Sequence, residues 1–241
     1  MLSIEFVASV PKELDHPELN EDCFFADEDT GHFALSDGAS ESYDSQTWAR
    51  LLTSRYVAAP EFTPDWVESA VDMYRDRFDF DSLSWSQQAA FDRGSFATLL
   101  TLACRSDSNE LDVFSIGDCL AVHCVEGRMS DSFPFTQPEQ FDARPELLST
   151  RGEANAFVGQ PLFYKNHTAT WPFIPGAKVL LLTDALGQCL LRDSSGQMLR
   201  ALLEVQELNE FERLVLALRA TCAIRLDDTT LVRLTVGARV V

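Results

Sequence analysis

Five aspartates in this chain each stand beside a short apolar segment of strand-like composition. They are Asp22, Asp37, Asp118, Asp184 and Asp227. Each one alone is explained by a turn, a cap or a solvated strand end, but carboxylates brought together do not all stay ionised unless a cation lies between them. Magnesium and manganese take about six oxygen ligands. If two stacked sheets bring these acids to one edge, two such ions could hold a bridging hydroxide and a phosphoryl oxygen during in-line attack.

The first two of these acids belong to the stretch around which the chain is organised. The run Asn20-Glu21-Asp22 enters a short apolar strand, and Asp37-Gly38 leaves the next strand in a turn that suits both residues. If the two strands pair, their acids lie at the same end. The simpler interpretation is an ordinary hairpin with solvated acids at its mouth, because short motifs have many false positives.

The composition argues against several classes of partner. The chain has 241 residues, and 46% of them are apolar, which is enough for a substantial core. Its net charge of −19 argues against nucleic acid and anionic membranes, because both attract a basic surface. The same negative field concentrates cations around a metal site, although solubility alone explains most of the excess charge.

No targeting signal is visible in the sequence, and this together with the cysteine usage predicts a cytoplasmic protein. Glu5 lies where the apolar part of a signal peptide would begin, and the aliphatic run over residues 179–182 is far too short to cross a bilayer. The six cysteines include no Cys-x-x-Cys pair, and the four histidines are not paired at zinc-ligand spacing. We therefore expect the cysteines to be small core residues in a reducing compartment.

Hydrophobic periodicity predicts the elements that must position the acids. Strands are predicted over residues 2–8, 94–100, 111–116, 120–124, 178–182 and 229–234. A helix is predicted over residues 45–58, and others begin near residues 185, 196 and 207. A further helix opens at Thr63-Pro64-Asp65, where an N-cap precedes a proline. Its predicted apolar stripe is Trp66, Ala70, Met73 and Tyr74.

Two connections carry specific predictions. Gly117-Asp118 between two β segments predicts a hairpin. Residues 127–177 contain many prolines and no long periodic segment, while their aromatic residues favour an ordered flap. Because no internal repeat or linker is visible, residues 1–241 are predicted to form one domain.

The order of the motifs along the chain resembles that of a known family. The matching segments are Asn20-Glu21-Asp22, Asp37-Gly38, Gly94-Ser95-Phe96-Ala97-Thr98, Gly117-Asp118-Cys119, Thr183-Asp184-Ala185-Leu186 and Asp227-Asp228-Thr229-Thr230-Leu231. In this order they resemble the metal-dependent serine/threonine protein phosphatases, the PPM family, also called type 2C. Each motif alone is a weak signal, whereas the ordered set spans residues 20–232 and is specific.

The resemblance implies an α+β fold, a four-layer αββα sandwich of two antiparallel sheets flanked by helices, with a metal site at one edge. It also implies two Mn²⁺ or Mg²⁺ ions and a weaker third ion. The implied metal-site residues are Asp37 bridging both ions, the Gly38 carbonyl, Asp184, Asp227, Glu21 acting through water, and Asp118 with Asp184 for the third ion. The implied catalytic residues are Glu21 and Asp22, and Asp22 would orient the metal ligands by hydrogen bonding.

Several positions depart from the family pattern. Pro17 stands where the family often has an arginine that grips the substrate phosphate. The run Ala39-Ser40-Glu41 lacks the histidine proposed as general acid in animal members. Cys119, Ala185 and Asp228 replace the usual serine, glycine and asparagine. The run Asp-Gly-Ala-Ser-Glu resembles a divergent bacterial branch of the family.

The missing arginine leaves open which residue holds the phosphate. Lys12 and His16, in the loop before Asn20, are the phosphate-binding candidates. We prefer Lys12, because its long stem can reach over the site and its ammonium group stays charged. The alternative is a solvated surface lysine, which a lone loop lysine usually is.

The resemblance thus implies a manganese- or magnesium-dependent phosphatase that hydrolyses phosphoserine or phosphothreonine in proteins. The expected partners are a phosphorylated protein and a cognate serine/threonine kinase, with no nucleic acid or membrane partner, and a monomer is expected. One alternative is a catalytically weak regulatory or binding module, which the lost arginine and histidine favour. Another is a phosphatase for small phosphorylated metabolites, for which the flap could supply a deeper pocket.

Overall fold

The computed structural model describes residues 1–40, 42–105 and 108–237, so Glu41 of the run Ala39-Ser40-Glu41 lies outside the described residues. The strands within these ranges are β1 (Leu2–Val10), β2 (Cys23–Asp27), β3 (His32–Ser36), β4 (Phe96–Ala97), β5 (Leu99–Cys104), β6 (Glu110–Ile116), β7 (Leu120–Val125), β8 (Arg128–Phe133), β9 (Leu148–Ser149), β10 (Thr168–Pro172), β11 (Lys178–Leu182) and β12 (Thr229–Val236).

The α-helices lie mostly in two groups, one early and one late in the chain. They are α1 (Ser45–Ala58), α2 (Pro64–Arg75), α3 (Trp85–Arg93), α4 (Phe163–His167), α5 (Asp184–Arg192), α6 (Gln197–Glu204) and α7 (Leu208–Ala220). Short 3₁₀ turns connect several of these elements. None of the helices in the described ranges has the length and apolar character that crossing a membrane requires.

Ten of these strands form two five-stranded antiparallel sheets. Sheet I has the order β1-β12-β11-β7-β8, and sheet II has the order β10-β6-β5-β3-β2. The strands β4 and β9 form a small separate pair. Chain neighbours β2 and β3 pair as a hairpin, whereas β1 pairs with β12 from the far end of the chain.

Three apolar clusters define the layers of the fold. One lies between the two sheets and includes Leu35 of sheet II and Leu181 of sheet I. A second joins sheet I to α5, α6 and α7 and includes Phe211. The third joins sheet II to α1 and α2 and includes Trp48. This arrangement is the four-layer αββα sandwich that the sequence resemblance implied.

The first two helices begin where their capping residues predict. The structure places α1 over residues 45–58, as predicted. In α2, Thr63 is the N-cap, and its hydroxyl accepts a hydrogen bond from Trp66 N at 3.1 Å. Pro64 occupies the first turn, where its missing N–H costs nothing. Both helices therefore follow from local chemistry.

One helix prediction needs correction, and the helix that follows it was missed. Met73 of the predicted stripe is 42% exposed, whereas Val67 and Val71 are buried. Residues 67, 71 and 74 lie one turn apart and form the inner face, which leaves residue 73 at the margin. The helix α3 was not predicted, although Ser84 and Gln87 form a capping box at its start.

The predicted hairpin at Gly117-Asp118 is wrong. The preceding strand β6 lies in sheet II and the following strand β7 lies in sheet I, so the segment crosses between the sheets. Each strand already has a partner on both sides, which leaves no free edge for them to pair with each other. Gly117 has φ +96°, and a Cβ added there would lie 2.5 Å from Thr98 Cγ2, so the crossing requires glycine.

Residues 127–177 are more regular than the prediction of an irregular flap. The strand β8 closes one edge of sheet I, and β10 closes one edge of sheet II. The segments between these strands are anchored by Phe141 and Phe163, which are 5% and 3% exposed. The prediction of an ordered stretch is confirmed, because aromatic side chains pin it to the helical layers.

The prediction for the cysteines is correct for some and wrong for one. All six are free thiols, and Cys119 and Cys124 are buried. Cys222 is exposed and has φ +54°, because it lies just beyond the end of α7, where the chain turns away.

Candidate metal and phosphate site

The strand registers bring the five aspartates to one edge of the sandwich. In sheet II, Cys23 at the start of β2 is opposite Ser36 at the end of β3. In sheet I, Leu182 at the end of β11 is opposite both Leu120 at the start of β7 and Leu231 near the start of β12. The residues that flank these strand ends are Asp22, Asp37, Asp118, Asp184 and Asp227.

The start of β5 fixes the position of Asp37. Its N–H donates to Thr98 Oγ1 at 2.8 Å, and its carbonyl accepts from Thr98 N at 2.9 Å. Gly38 follows and pairs with Ala97 as an isolated bridge. A Cβ added to Gly38 would lie 2.9 Å from Ser45 Cβ, so only glycine lets this loop approach the first turn of α1 so closely.

Thr98 also contacts the crossing segment of the chain. Its Oγ1 lies 3.1 Å from Cys119 Sγ, and its methyl group packs against Gly117. Cys119 therefore retains a polar contact where the family usually has serine. Through this one threonine, the loops that carry Asp37 and Asp118 are held side by side.

Asp22 and Asp184 make different contacts with their two carboxylate oxygens. Asp22 Oδ2 accepts from Thr230 Oγ1 at 2.6 Å, while Asp22 Oδ1 is buried with no hydrogen-bond partner among the described residues. Asp184 Oδ1 accepts from Ala185 N at 2.5 Å, and Asp184 Oδ2 accepts from Arg225 Nη2 at 2.6 Å. A buried acceptor without a partner is costly, and a cation beside it would remove that cost.

Asp228 and Arg219 hold the surrounding loops in place. The buried carboxylate of Asp228 accepts from Lys12 N at 2.7 Å and from Glu21 N at 2.8 Å. Arg219 Nη2 donates to the Asp227 carbonyl at 2.6 Å. Sequence reasoning missed both positioning roles. The Asp-Asp pair before a β-branched strand marked the place, but the partners of Asp228 lie more than 200 positions away.

Burial and mutual repulsion raise the pKa values of the clustered aspartates. Burial and the charges of Asp22 and Asp184 raise the pKa of Asp37 well above its ordinary value. The pKa of Asp22 is also raised well above its ordinary value, chiefly by burial. Burial and the charge of Asp184 raise the pKa of Asp118 to about 7 and the pKa of Asp227 in the same direction. The cluster therefore resists carrying its full negative charge.

Four of the five aspartates line a cavity of about 140 Å³, which we call the acid cavity. The proposed metal ligands that line it are Asp37, Gly38, Asp118, Asp184 and Asp227. In the described part of the chain, no group of three or more Asp, Glu, His or Cys side chains is already arranged so that it could hold a metal ion. Because the donors are oxygens and Asp22 Oδ1 lacks a partner, the residues present fit Mg²⁺ or Mn²⁺.

Glu21 lies beside this cavity and contacts a lysine. Its carboxylate accepts hydrogen bonds from Lys12 Nζ, from Ser45 Oγ and, at 2.6 Å, from Ser40 Oγ. Burial lowers the pKa of Lys12, but the hydrogen bond and charge of Glu21 outweigh burial, so the pKa lies above its ordinary value. Lys12 thus reaches the acids as a cation, and its binding of phosphate stays a prediction.

His16 and Arg225 show the limits of sequence reasoning about cations. His16 is largely exposed, and its Nδ1 lies 3.1 Å from Glu18 Oε1. Its role toward phosphate stays a prediction. Arg225 was not considered, yet its guanidinium contacts Asp184. The sequence carried no signal for this contact, because it depends on the pairing of β11 with β12.

Solved structures with this architecture include several phosphatases. The photosystem II phosphatase PBCP has a TM-score of 0.65 at 16% identity, over 99% of this chain and 100% of that chain. The catalytic domain of the serine/threonine protein phosphatase PstP, solved with two manganese ions, has a TM-score of 0.59 at 16% identity, over 98% and 99% of the chains. RsbX, solved with magnesium, has a TM-score of 0.54 at 18% identity, over 98% and 100%.

These matches establish that the chain has the fold of the PPM-type phosphatases over nearly its whole length. No protein-family model matches the sequence, and no curated protein matches it either. The fold is therefore recognised from the path of the backbone, and the chemistry rests on the acids of this chain.

Proposed function

We propose that this protein is a manganese- or magnesium-dependent phosphatase that hydrolyses phosphoserine and phosphothreonine in proteins. One observation carries the proposal: five aspartates converge at one edge of a phosphatase fold. Burial raises the pKa of all five, and the charges of neighbouring aspartates raise it further for all but Asp184. Such a cluster of like charges destabilises a protein unless cations bind to it. Divalent cations with oxygen ligands relieve the repulsion and provide the charge that phosphoryl transfer needs.

Each acid has a role in this proposal. The residues that would hold two ions are Asp37, the Gly38 carbonyl, Asp184, Asp227 and, through water, Glu21, with Asp118 and Asp184 for a weaker third. When bound, the ions offset the negative charge of the phosphoryl oxygens and lower the pKa of a water molecule. Asp22 orients the ligands, because its Oδ2 is fixed by Thr230 and its Oδ1 faces no protein donor in the described chain.

Lys12 binds the substrate phosphate in place of the arginine that Pro17 replaces. Its ammonium group lies against Glu21 and, at 2.6 Å, against Ser40 Oγ. A phosphate dianion competes with Glu21 for this ammonium group. Because lysine binds as a point charge where arginine would form a fork, the phosphate is held less rigidly. His16, in the same loop, is the second candidate.

We also propose a phosphorylated protein as the substrate and a cognate serine/threonine kinase as the opposing enzyme. The neighbours PBCP and PstP are described as a photosystem II phosphatase and a serine/threonine protein phosphatase, which supports a protein substrate. The net charge of −19 disfavours nucleic acid and anionic membranes as partners. The proposed protein is a one-domain monomer in a bacterial cytoplasm.

Metal replacement tests the proposal. Purified protein is stripped with a chelator, refilled with Mn²⁺ or Mg²⁺, and assayed on p-nitrophenyl phosphate and a phosphothreonine peptide. We expect activity to rise by about tenfold or more on refilling, because the acids alone provide no electrophile. Calorimetry on the same samples checks that metal binds. If metal binds to folded protein and no activity appears, the enzyme proposal is wrong.

A second candidate function is a catalytically weak module that binds a phosphoprotein. It is favoured by the contacts of Lys12 with Glu21 and of Arg225 with Asp184, because protein cations already neutralise these two acids. Such a module binds the phosphothreonine peptide in chelator and turns over none of it with Mn²⁺. The enzyme requires metal for turnover, so the two functions are separated by the same samples.

A further inference from the structure

A larger cavity, of about 840 Å³, opens directly beside the acid cavity. The residues that line both cavities are Ala39, Ser40, Pro145, Leu147 and Asp227. The larger cavity is also lined by Arg93, Arg144 and Arg151, and we call it the arginine groove. Because the two cavities share a wall, the arginine groove is placed to receive the neighbouring residues of a peptide whose phosphorylated residue enters the acid cavity.

Two of the three arginines are available to a ligand. Arg93 lies in the last turn of α3, and its Nη1 donates to the Ala89 carbonyl at 3.1 Å. Neither Arg93 nor Arg144 forms an ion pair with any residue that the structure describes. Both are exposed. In a chain with 38 acidic and 19 basic residues, two unpaired arginines in one groove mark it as a place for anions.

Of the acids near the groove, Asp227 belongs also to the acid cavity, and Glu153 and Glu146 contact other residues. Glu153 pairs with Arg151, with Nη2 and Oε1 2.5 Å apart. Glu146, which lines the groove, has its Oε2 3.8 Å from His167 Nε2. In the part of the chain that the structure describes, none of these acids forms an ion pair with Arg93 or Arg144.

The backbone around Gly94 brings the arginine-bearing segments together. Gly94 has φ +84°, and a Cβ added there would lie 2.7 Å from Arg151 Cγ. Ser95 N donates to Thr150 Oγ1 at 2.8 Å, and Thr150 N donates to the Ser95 carbonyl at 3.0 Å. The stem of Arg151 therefore crosses a position that only glycine leaves open, and the small β4–β9 pair fixes this wall of the groove.

We infer that the arginine groove binds aspartate or glutamate side chains that flank the phosphorylated residue of a peptide substrate. A guanidinium fork matches a carboxylate better than a lysine does, and two such forks lie here beside the phosphate site. Phe96 and Phe157 in the same groove offer apolar surface to the carbon atoms of the peptide. The inference rests on the proposed function in one respect, that the phosphorylated residue occupies the acid cavity.

Peptide binding measured without turnover tests this inference. Fluorescein-labelled phosphothreonine peptides carry three glutamates before the phosphothreonine, or three after it, and matched peptides carry glutamines instead. Fluorescence anisotropy gives the Kd of each, measured with Mn²⁺ present on versions of these peptides that carry a non-hydrolysable phosphonate in place of the phosphate. For at least one side we expect the glutamate peptide to bind about tenfold or more tightly than its glutamine match, and we expect this preference to weaken with added salt.

The variants identify the residues responsible. In the double variant Arg93→Gln/Arg144→Gln, we expect the ratio of the two Kd values to fall to about twofold or less. Arg213→Gln is the matched control, because Arg213 also lies exposed on a helix and donates to a carbonyl four residues earlier, outside the groove. This control keeps the wild-type ratio. Melting curves confirm that each variant is folded.

Two results would overturn the inference. One is equal affinity of the wild type for the glutamate and glutamine peptides on both sides, and the other is a full preference in the double variant. Turnover with Mn²⁺ is then measured on the phosphothreonine peptides themselves. If no turnover occurs but the preference depends on Arg93 and Arg144, the proposed phosphatase activity fails while the assignment of the groove stands.

Discussion

The acid cavity and a cluster around Glu5 lie at different places along sheet I. The Glu5 carboxylate is paired with cations, whereas the aspartates of the acid cavity lie beside one another. Glu5 Oε2 accepts from Arg233 Nε at 3.1 Å, and Glu5 Oε1 accepts from Lys178 Nζ. Arg233 is 1% exposed and also donates to the Leu202 carbonyl at 2.8 Å. At the acid cavity, by contrast, other carboxylates raise the pKa of Asp37 and of Asp118.

The pKa values express this difference. Burial raises the pKa of Glu5, but the hydrogen bond and charge of Lys178 and the charge of Arg233 outweigh it, so the pKa lies below its ordinary value. Burial and the neighbouring acids both raise the pKa of Asp37. One carboxylate is stabilised in its charged form by the folded protein, and the other is destabilised. We therefore interpret the uncompensated like charge at the acid cavity as a sign of the proposed cation site.

The largest effect should come from breaking the acid cluster. Asp37→Asn is expected to lower kcat/KM to about 1% or less of the wild-type value, because the proposed ligand of both metal ions is lost. In chelator the variant should melt at the wild-type temperature or above it, because the other aspartates lose a like-charged neighbour. Activity assays and melting curves give the two values.

Asp29→Asn is the matched control for this change. Asp29 lies exposed in the turn between β2 and β3, at the other end of the same hairpin. It should leave both activity and stability near wild type. If Asp37→Asn instead lowers the melting temperature in chelator by several degrees, Asp37 is a structural residue of the turn.

Removing a cation from the cluster around Glu5 should lower stability, in contrast to the change at Asp37. Arg233→Met removes the donor to Glu5 Oε2 and to the Leu202 carbonyl, while Lys178 still donates to Glu5 Oε1. We expect a loss of about 2 kcal/mol in the free energy of unfolding, measured by denaturant titration. Glu5→Gln combined with Arg233→Met should recover part of the loss. A single variant as stable as wild type would mean that this pair contributes nothing.

Lys12 shares a feature with each region. It lies beside the acid cavity, yet it pairs as a cation with the carboxylate of Glu21. Lys12→Ala is expected to lower kcat/KM on a phosphopeptide about tenfold, equivalent to about 1.4 kcal/mol of transition-state stabilisation. The affinity for Mn²⁺ should not fall, because Lys12 provides no ligand and Glu21 loses a competing cation. Lys165→Ala, an exposed lysine of α4, is the control. Wild-type kcat/KM in Lys12→Ala would assign the phosphate to other groups.

The smallest effect is a dependence of stability on pH. The folded-state pKa of Asp118 is raised from 3.8 to about 7, so between these values the folded protein binds the proton more tightly than the unfolded chain. Stability in chelator should therefore fall as pH rises from 5 to 7, lowering Tm by about a few degrees. Glu5 acts in the reverse direction, since its lowered pKa stabilises the fold above pH 4.5. Asp118→Asn should reduce the fall in Tm between pH 5 and 7. A wild-type Tm that rises over this range would contradict a raised pKa of Asp118.

Much of the local structure could be predicted because its causes are local. The helix α1 and the N-cap of α2 follow from periodicity and from the hydroxyl of Thr63. The acids that flank the strands were also identified from the sequence. The crossing at Gly117-Asp118 was not, because a Gly-Asp turn looks the same whether its two strands join one sheet or two.

The sequence alone determined which residues carry charge at the strand ends and the order in which they follow one another. Only the tertiary structure decided what each of them touches. Lys12 N reaches Asp228 across 216 positions, Arg225 reaches Asp184 across 41, and Arg93 and Arg144 come to line one groove. These contacts depend on strand register and on the crossing between sheets, and a change of one residue in register would turn every side chain of a strand to the other face.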